Sequence, residues 1–158
     1  ISDAIHEFCN TSRPLLGICL GMQLLMSESC EFGLYKGLNL IKGKVIRFKD
    51  PDSDGPYFKI PQIGWNKLEY PENRSNGELN NIWHKTILEG QSEGIFVYFV
   101  HSYYVMPGNP ENILSETHYG KERFCSSVIH ENIIGCQFHP EKSGEMGINM
   151  YKKFLGNL

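Results

Sequence analysis

Cys19 is the residue in this sequence best placed to act as a nucleophile. The segment 17–21, GICLG, puts a glycine two positions away on each side of it. The apolar run Leu15–Ile18 is typical of a buried strand, and residues 21–26 favour a helix. A sharp strand-to-helix turn needs neighbours without bulk, and it leaves its central side chain projecting toward a ligand. The pattern therefore predicts a nucleophilic thiol at such a turn.

The helix expected after Cys19 would add to the chemistry of the thiol. The backbone N–H of Leu20 would point to the place where an oxyanion develops. The positive end of the helix would lower the pKa of the thiol, which predicts a thiolate at Cys19. Gln23 follows one helical turn later, so its amide could bind an amide or amino-acid substrate beside the sulfur. Both residue types are also common in structural roles, so other residues have to decide between the two interpretations.

The base that such a thiol needs is predicted at His139, with Glu141 as the group that orients it. The two residues stand two positions apart at the end of the apolar run 133–138. In extended backbone their side chains leave on the same side, and Pro140 between them favours that conformation for His139. Glu141 could then accept a hydrogen bond from the imidazole and hold its tautomer.

The other histidines suit the role of base less well. His101 follows a β-rich run and is the second candidate, but no acidic residue lies within two positions of it. The remaining four are expected at the surface: His6, His84, His118 and His130. A zinc site formed by Cys19, His139 and Glu141 is disfavoured, because structural sites use paired ligands such as Cys-x-x-Cys and catalytic sites use several histidines. No metal or other cofactor is predicted.

Composition excludes several other classes of protein. The 158 residues are 41% apolar and 21% charged with a net charge of −3, which is typical of a globular domain. Lys and Arg are scattered singly, which argues against a nucleic-acid or anionic-membrane partner. Apolar runs are far shorter than the roughly 20 residues of a membrane span. Five cysteines without paired spacing, and no charged-then-apolar leader, favour a reduced cytoplasmic protein.

The order of the patterns predicts a single α/β domain over residues 1–158. Residues 2–9 show helical spacing, and because the chain opens inside that pattern we expect the N-terminal part of the domain to be missing. Residues 29–94 indicate short strands, such as Gly43–Phe48, and long loops, with the weakest periodicity at 71–81. Further strands are predicted at 95–100, 112–117, 124–129 and 133–138. A closing helix is predicted from the apolar stripe Gly147, Ile148, Met150, Tyr151, Phe154 and Leu155.

Three motifs together resemble the class I, triad-type glutamine amidotransferases. They are GICLGMQ at 17–23, FVHSY at 99–103 and QFHPEKS at 137–143, and the likeness runs from about residue 14 to the end. The segments 61–66, PQIGWN, and 119–120 are similar to the histidine-biosynthesis branch of that family, the glutaminase subunits of imidazole glycerol phosphate synthases. The fold this resemblance implies is the flavodoxin-like open mixed sheet with flanking helices.

The resemblance also implies a reaction. Cys19 would attack the side-chain amide of L-glutamine, His139 would protonate the departing ammonia, and Glu141 would orient His139. Water would then hydrolyse the thioester to glutamate. The positions that match glutamine-binding residues of the family are Gly21, Gln23, Ser102 and Tyr103. Members of the family carry further N-terminal residues that complete the oxyanion hole. With the Leu20 N–H alone, at a cost of about 10²–10³-fold in rate, we expect this chain to be inactive by itself.

A partner is implied as well. Ammonia would pass to a (β/α)8-barrel synthase subunit in a heterodimer, which would use it to form imidazole glycerol phosphate. The positions that match the face toward this partner are Trp65, Asn66 and Tyr98, although Trp65 would equally suit a half-buried core site. Gln62-Ile63 stands where many histidine-pathway members have His-Met, so a partner that aminates a bacterial surface sugar is the alternative. A cysteine hydrolase or peptidase is a third class, although it has no need of Gln23.

Overall fold

The computed structural model describes residues 1–50, 58–72, 74 and 82–156. In these residues the helices are α1 (Ser2–Cys9), α2 (Leu20–Leu24) and α3 (Gly144–Gly156), with one-turn 3-10 helices at Pro110–Asn112 and Pro140–Lys142. The strands are β1 (Leu15–Ile18), β2 (Glu28–Ser29), β3 (Tyr35–Lys36), β4 (Gly43–Arg47), β5 (Gln62–Lys67), β6 (Phe96–His101), β7 (Tyr103–Pro107), β8 (Ile113–Tyr119), β9 (Glu122–His130) and β10 (Ile133–Cys136).

Eight of the described strands form one mixed sheet in the order β1-β10-β9-β7-β4-β2-β3, with β8 paired to β9. β1 runs parallel to β10, with Ile18 opposite Cys136, and β2 runs parallel to β4. The remaining pairs in this sheet are antiparallel. β5 and β6 form a separate antiparallel pair in which Trp65 lies opposite Tyr98. The predicted open mixed sheet is confirmed.

Two apolar clusters cover the sheet. Strand β9 contributes to both clusters, because its consecutive residues Phe124 and Cys125 point to opposite faces. The larger cluster joins the sheet to β6 and α3, and among its members are Phe99, Phe138 and Met150. The smaller cluster joins the sheet to α2 through residues such as Met22. Each fully buried side chain of this size contributes roughly 1.5–3 kcal/mol of transfer free energy.

Two glycines let α2 lie directly on the sheet. Gly17 on β1 pairs with Gly135 on β10. A Cβ atom at Gly17 would lie 2.8 Å from the carbonyl carbon of Gly21, and one at Gly135 would lie 2.7 Å from Cγ of Met22. A side chain at either position would therefore push α2 outward. This close contact sets the position of Cys19, which joins β1 to α2.

Most of the predicted elements are present, with some corrections. The helix at 2–9, the strand at 15–18, the strand from Gly43 and the four strands after residue 95 are confirmed within a few residues. The apolar stripe of the closing helix is only partly buried, since the side chains of Ile148 and Leu155 are 54% and 61% exposed. Much of the region 71–81 lies outside the described residues. None of the described helices is long and apolar enough to cross a membrane.

Candidate active site

Cys19 occupies a strained turn between β1 and α2. Its φ of +50° and ψ of −105° lie in a region that side chains other than glycine rarely adopt, at a cost of about 1–3 kcal/mol. The backbone N–H of Cys19 donates a 2.7 Å hydrogen bond to the carbonyl of Cys136, which ties the turn to β10. A Cβ at Gly21 would meet no atom within 4 Å, so the space beside the turn is open. The predicted strand-to-helix turn is confirmed.

The prediction of a resting thiolate is wrong. Burial raises the pKa of the Cys19 thiol above its ordinary value, and the negative charges of Glu141 and Glu31 raise it further. The backbone N–H of Leu20 and the amide of Gln137 act in the opposite direction without cancelling the rise. Helix α2 has five residues, so it offers too short a row of aligned peptides for a strong dipole. Cys19 therefore needs a base to remove its proton.

His139 and Glu141 form the predicted pair. Nδ1 of His139 lies 2.6 Å from Oε1 of Glu141. Because an ionised carboxylate only accepts, Nδ1 carries the hydrogen and neutral His139 keeps a lone pair on Nε2. Burial disfavours ionisation of Glu141, but the hydrogen bond from His139 outweighs this effect, and the pKa of Glu141 lies below its ordinary value. Among the described residues, Nε2 of His139 is the one buried side-chain nitrogen or oxygen without a hydrogen-bond partner.

The topology brings the thiol and this pair to one edge of the sheet. β1 and β10 are parallel neighbours in register, so the residues that follow them leave from the same end. Cys19 follows β1 directly, and His139 comes three residues after β10. The charge of Glu141 acts on the thiol of Cys19, as its effect on the pKa shows. Thiol, imidazole and carboxylate therefore share one site.

His101, the second candidate for the base, is a buried structural residue. Its Nδ1 lies 2.8 Å from the carbonyl oxygen of Tyr103, and its Nε2 lies 3.1 Å from the side-chain amide of Gln62. Burial lowers the pKa of His101 to about 4, so the ring is neutral at neutral pH. Both ring nitrogens are occupied within the protein, and His101 cannot serve Cys19 as a base.

An open pocket of about 290 Å³ lies beside the turn. Leu20 and Gln23 from α2 line one side, and Glu31, Phe32 and Tyr35 are among the residues that line the rest. Glu31 brings an acidic group to a largely apolar pocket next to the thiol. Sequence analysis missed Glu31, because it lies in a segment interpreted as loop and no spacing rule connects it to Cys19.

Comparison with known proteins decides the family. The sequence matches the family described as "Glutamine amidotransferase class-I" over residues 2–158. The chain belongs to this family. It is 44% identical over 153 residues to the imidazole glycerol phosphate synthase subunit HisH 1 of Legionella pneumophila, with 97% of this chain and 69% of that protein covered. It is 41% identical over 152 residues to subunit HisH of Chlorobaculum tepidum, with 96% and 68% covered.

Solved structures share the amidotransferase fold. A putative GMP synthase protein of Thermoplasma acidophilum superposes with a TM-score of 0.60 at 18% identity, and 99% of this chain covers 63% of that one. A glutamine amidotransferase of Thermotoga maritima gives 0.53 at 18% identity, with 99% of this chain covering 53% of that one. This amidotransferase chain thus spans about two thirds of its curated relatives and a smaller share of these solved chains.

The residues predicted to face a partner lie on the β5–β6 pair of this amidotransferase. Trp65 is 53% exposed, and its ring packs edge-on against Tyr98 with centroids 6.1 Å apart. Lys142 Nζ lies 5.7 Å from the centroid of the Tyr98 ring. The side chain of Asn66 is bonded within the chain, since its Nδ2 donates to the carbonyl of His118 over 2.7 Å. Trp65 and Tyr98 are therefore the better candidates for contact with another protein.

Ser102 and Tyr103 lie at the link between β6 and β7. The Tyr103 carbonyl accepts a 3.0 Å hydrogen bond from Nε2 of Gln23. The same Nε2 lies 3.1 Å from Oε1 of Gln137, and Nε2 of Gln137 lies 3.5 Å from the Cys19 sulfur. Sequence analysis placed Gln23 beside the thiol but missed Gln137. The available signal was a polar side chain between the buried strand β10 and His139.

Proposed function

We propose that this chain is the glutaminase part of a two-subunit synthase and hydrolyses L-glutamine to glutamate and ammonia. The observation that carries the proposal is the buried, unpartnered Nε2 of His139, set by Glu141 at the sheet edge that also holds Cys19. Family membership identifies this arrangement with amide chemistry. Cys19, His139 and Glu141 are the proposed catalytic triad.

In the proposed first step, Nε2 of His139 takes the proton of the Cys19 thiol while the sulfur attacks the amide carbon of glutamine. The carbonyl π electrons move to oxygen, where the N–H of Leu20 donates to the oxyanion. Because the pKa of the resting thiol is raised, proton removal and attack are coupled in this step. The hydrogen bond to Glu141 stabilises the imidazolium that forms.

In the second step the oxyanion collapses and the C–N bond breaks. His139 gives its proton to the leaving nitrogen, which departs as ammonia and leaves a thioester on Cys19. Water then attacks the thioester carbon while His139 accepts one of its protons, and the proton returns to sulfur as glutamate leaves. Glu141 stays ionised throughout, as its lowered pKa requires.

We place glutamine in the pocket beside the turn. Glu31 offers a carboxylate to the α-ammonium group, and this charge pair would orient the amide toward Cys19. Both amide hydrogens of Gln23 have acceptors inside the protein, so its Oε1 is the atom it offers to a substrate. Gly21, Ser102 and Tyr103 border the same site as proposed binding residues and leave room for the ligand's main chain.

The test of this proposal is the release of glutamate from L-glutamine by the product of the whole gene, with and without its synthase subunit. We expect Glu31→Gln to raise KM about tenfold or more with a smaller change in kcat, because it removes one charge partner of the substrate. Glu28→Gln is the matched control on the preceding strand. Equal release of glutamate and of unrelated amines from peptides would overturn the proposal in favour of a peptidase.

We propose that the acceptor of ammonia is a (β/α)8-barrel synthase subunit in the cytoplasm, with imidazole glycerol phosphate as the product. Support comes from relatives that carry that synthase's name and from the free cysteines, which suit a reducing compartment. Gln62, the residue behind the surface-sugar alternative, is 2% exposed and bonded to His101. Its identity reflects core packing and gives no reason to prefer a different acceptor.

The proposed docking face predicts the effect of removing Trp65. We expect Trp65→Ala to weaken binding to the synthase subunit by about 2 kcal/mol, roughly 30-fold in Kd, because it removes a large exposed ring and leaves Tyr98 without its packing partner. Calorimetry of the two subunits measures this change. Leu155→Ala, at an exposed apolar residue on α3, is the control and should leave Kd within twofold. Equal affinities for all three proteins would rule out this face.

A further inference from the structure

Two buried glutamine side chains connect the backbone to the sulfur of Cys19. Gln137 is fully buried and Gln23 is 9% exposed. Nε2 of Gln23 donates to the Tyr103 carbonyl over 3.0 Å and to Oε1 of Gln137 over 3.1 Å. Nε2 of Gln137 lies 3.5 Å from the Cys19 sulfur, within the distance of a hydrogen bond to sulfur. Burial of two amides is costly unless they are bonded, so this pair needs its partners.

The chain of bonds has only one sense. The carbonyl of Tyr103 can only accept, so the nitrogen of Gln23 must face it. The second hydrogen of that nitrogen then points at Gln137, which must present its oxygen in return. The nitrogen of Gln137 is therefore directed at the sulfur. A flipped Gln137 would set two NH2 groups against each other. The peptide at Tyr103 thus determines that Cys19 receives a donor and not an acceptor.

We propose that Gln137 is a positioning residue for Cys19, held by Gln23 so that an N–H rests on the sulfur and stabilises negative charge as it forms there. The inference deepens the proposed glutaminase function and rests on it for the reaction. A neutral thiol gains little from an added donor, whereas a thiolate gains a charge-assisted hydrogen bond. The benefit therefore appears as the proton leaves for His139.

Gln137 also opposes the other groups around the thiol. Burial, Glu141 and Glu31 raise the pKa of Cys19, while Leu20 and Gln137 lower it. The Leu20 N–H is also the proposed oxyanion donor, so it has a second task during the reaction. Gln137 is the side chain whose contact with the sulfur has no such second task. Its removal should make the thiol harder to ionise while His139 and Glu141 keep their own bond.

The test measures ionisation of Cys19 without glutamine, so its failure is separate from a failure of the glutaminase proposal. The rate of alkylation by iodoacetamide is followed against pH in a Cys9→Ser, Cys30→Ser background, since Cys125 and Cys136 are buried. We expect Gln137→Glu, which keeps shape but removes the donor, to lower the rate at pH 7.5 about tenfold and to move the profile to higher pH. Gln137→Met should move it in the same direction without adding charge. Gln91→Glu, the same change at a distant site, should leave it in place.

An unchanged profile in folded Gln137→Glu and Gln137→Met would overturn the proposal. Folding is checked by circular dichroism and thermal unfolding. A measurement on the unmutated side chain covers the case in which the variants fail to fold. In protein labelled with ¹⁵N at glutamine side chains, the Gln137 amide protons should titrate together with Cys19 and should stop doing so in Cys19→Ser. Amide signals that ignore the ionisation of Cys19 would also overturn the proposal.

Discussion

Cys19→Ala is expected to lower glutamate release from L-glutamine by about 10⁴-fold or more, because it removes the atom that forms the covalent intermediate. His139 and Glu141 would remain paired in this variant, and the glutamine pocket would keep its residues. KM for any residual activity should therefore change little. The measurement is glutamate production in the presence of the synthase subunit, with thermal unfolding to show that the fold is intact.

Cys30→Ala is the matched control for this experiment. Cys30 is an exposed free thiol eleven residues further along, outside the proposed triad. Its replacement should leave glutamate release within twofold. A Cys19→Ala protein that keeps a tenth of the activity would contradict the covalent mechanism, whereas a Cys30→Ala protein that loses activity would show that the assay responds to thiol chemistry elsewhere.

Gly147→Ala is expected to destabilise the protein by about 3 kcal/mol and to lower activity as well. A Cβ at Gly147 would lie 1.8 Å from the carbonyl oxygen of Pro140. Neither atom belongs to a flexible side chain, so α3 and the turn Pro140–Lys142 would have to separate. That turn carries Glu141, and its displacement would disturb the 2.6 Å contact with His139. Urea unfolding and glutamate release measure the two effects.

Gly156→Ala separates this steric effect from helix propensity. Gly156 ends the same helix, and a Cβ there would meet no atom within 4 Å. We expect a change in the free energy of unfolding within about 1 kcal/mol, in the stabilising direction, since alanine favours helix over glycine. Similar unfolding free energies for Gly147→Ala and the unmutated protein would show that α3 can move away from the turn without cost.

Sequence reasoning predicted the features that depend on neighbouring residues. The turn at Cys19 follows from two flanking glycines, and the His139–Glu141 pair follows from a spacing of two in extended backbone. Strand β7 was missed because one residue, Ser102, separates it from β6 although the two strands belong to different sheets. The apolar pattern runs through both strands and carries no mark of that change of sheet.

What sequence reasoning could not supply depends on residues far apart in the chain. The raised pKa of Cys19 comes from burial and from carboxylates twelve and 122 positions away, which no local rule takes into account. The contact of Gln23 with Gln137 spans 114 positions. Such pairs become visible once strand order is known, because the parallel pairing of β1 with β10 is what brings these two regions together.

The bonding of Tyr98 has a mechanical consequence. Its ring lies against Trp65, while its own peptide groups hold the reacting segment: the carbonyl accepts from the N–H of His139 over 2.8 Å, and the N–H donates to Oγ of Ser143, which in turn donates to the carbonyl of His139. A single residue thus separates the surface ring from the imidazole's main chain. Pressure on that ring and the aim of the imidazole cannot be adjusted independently of each other.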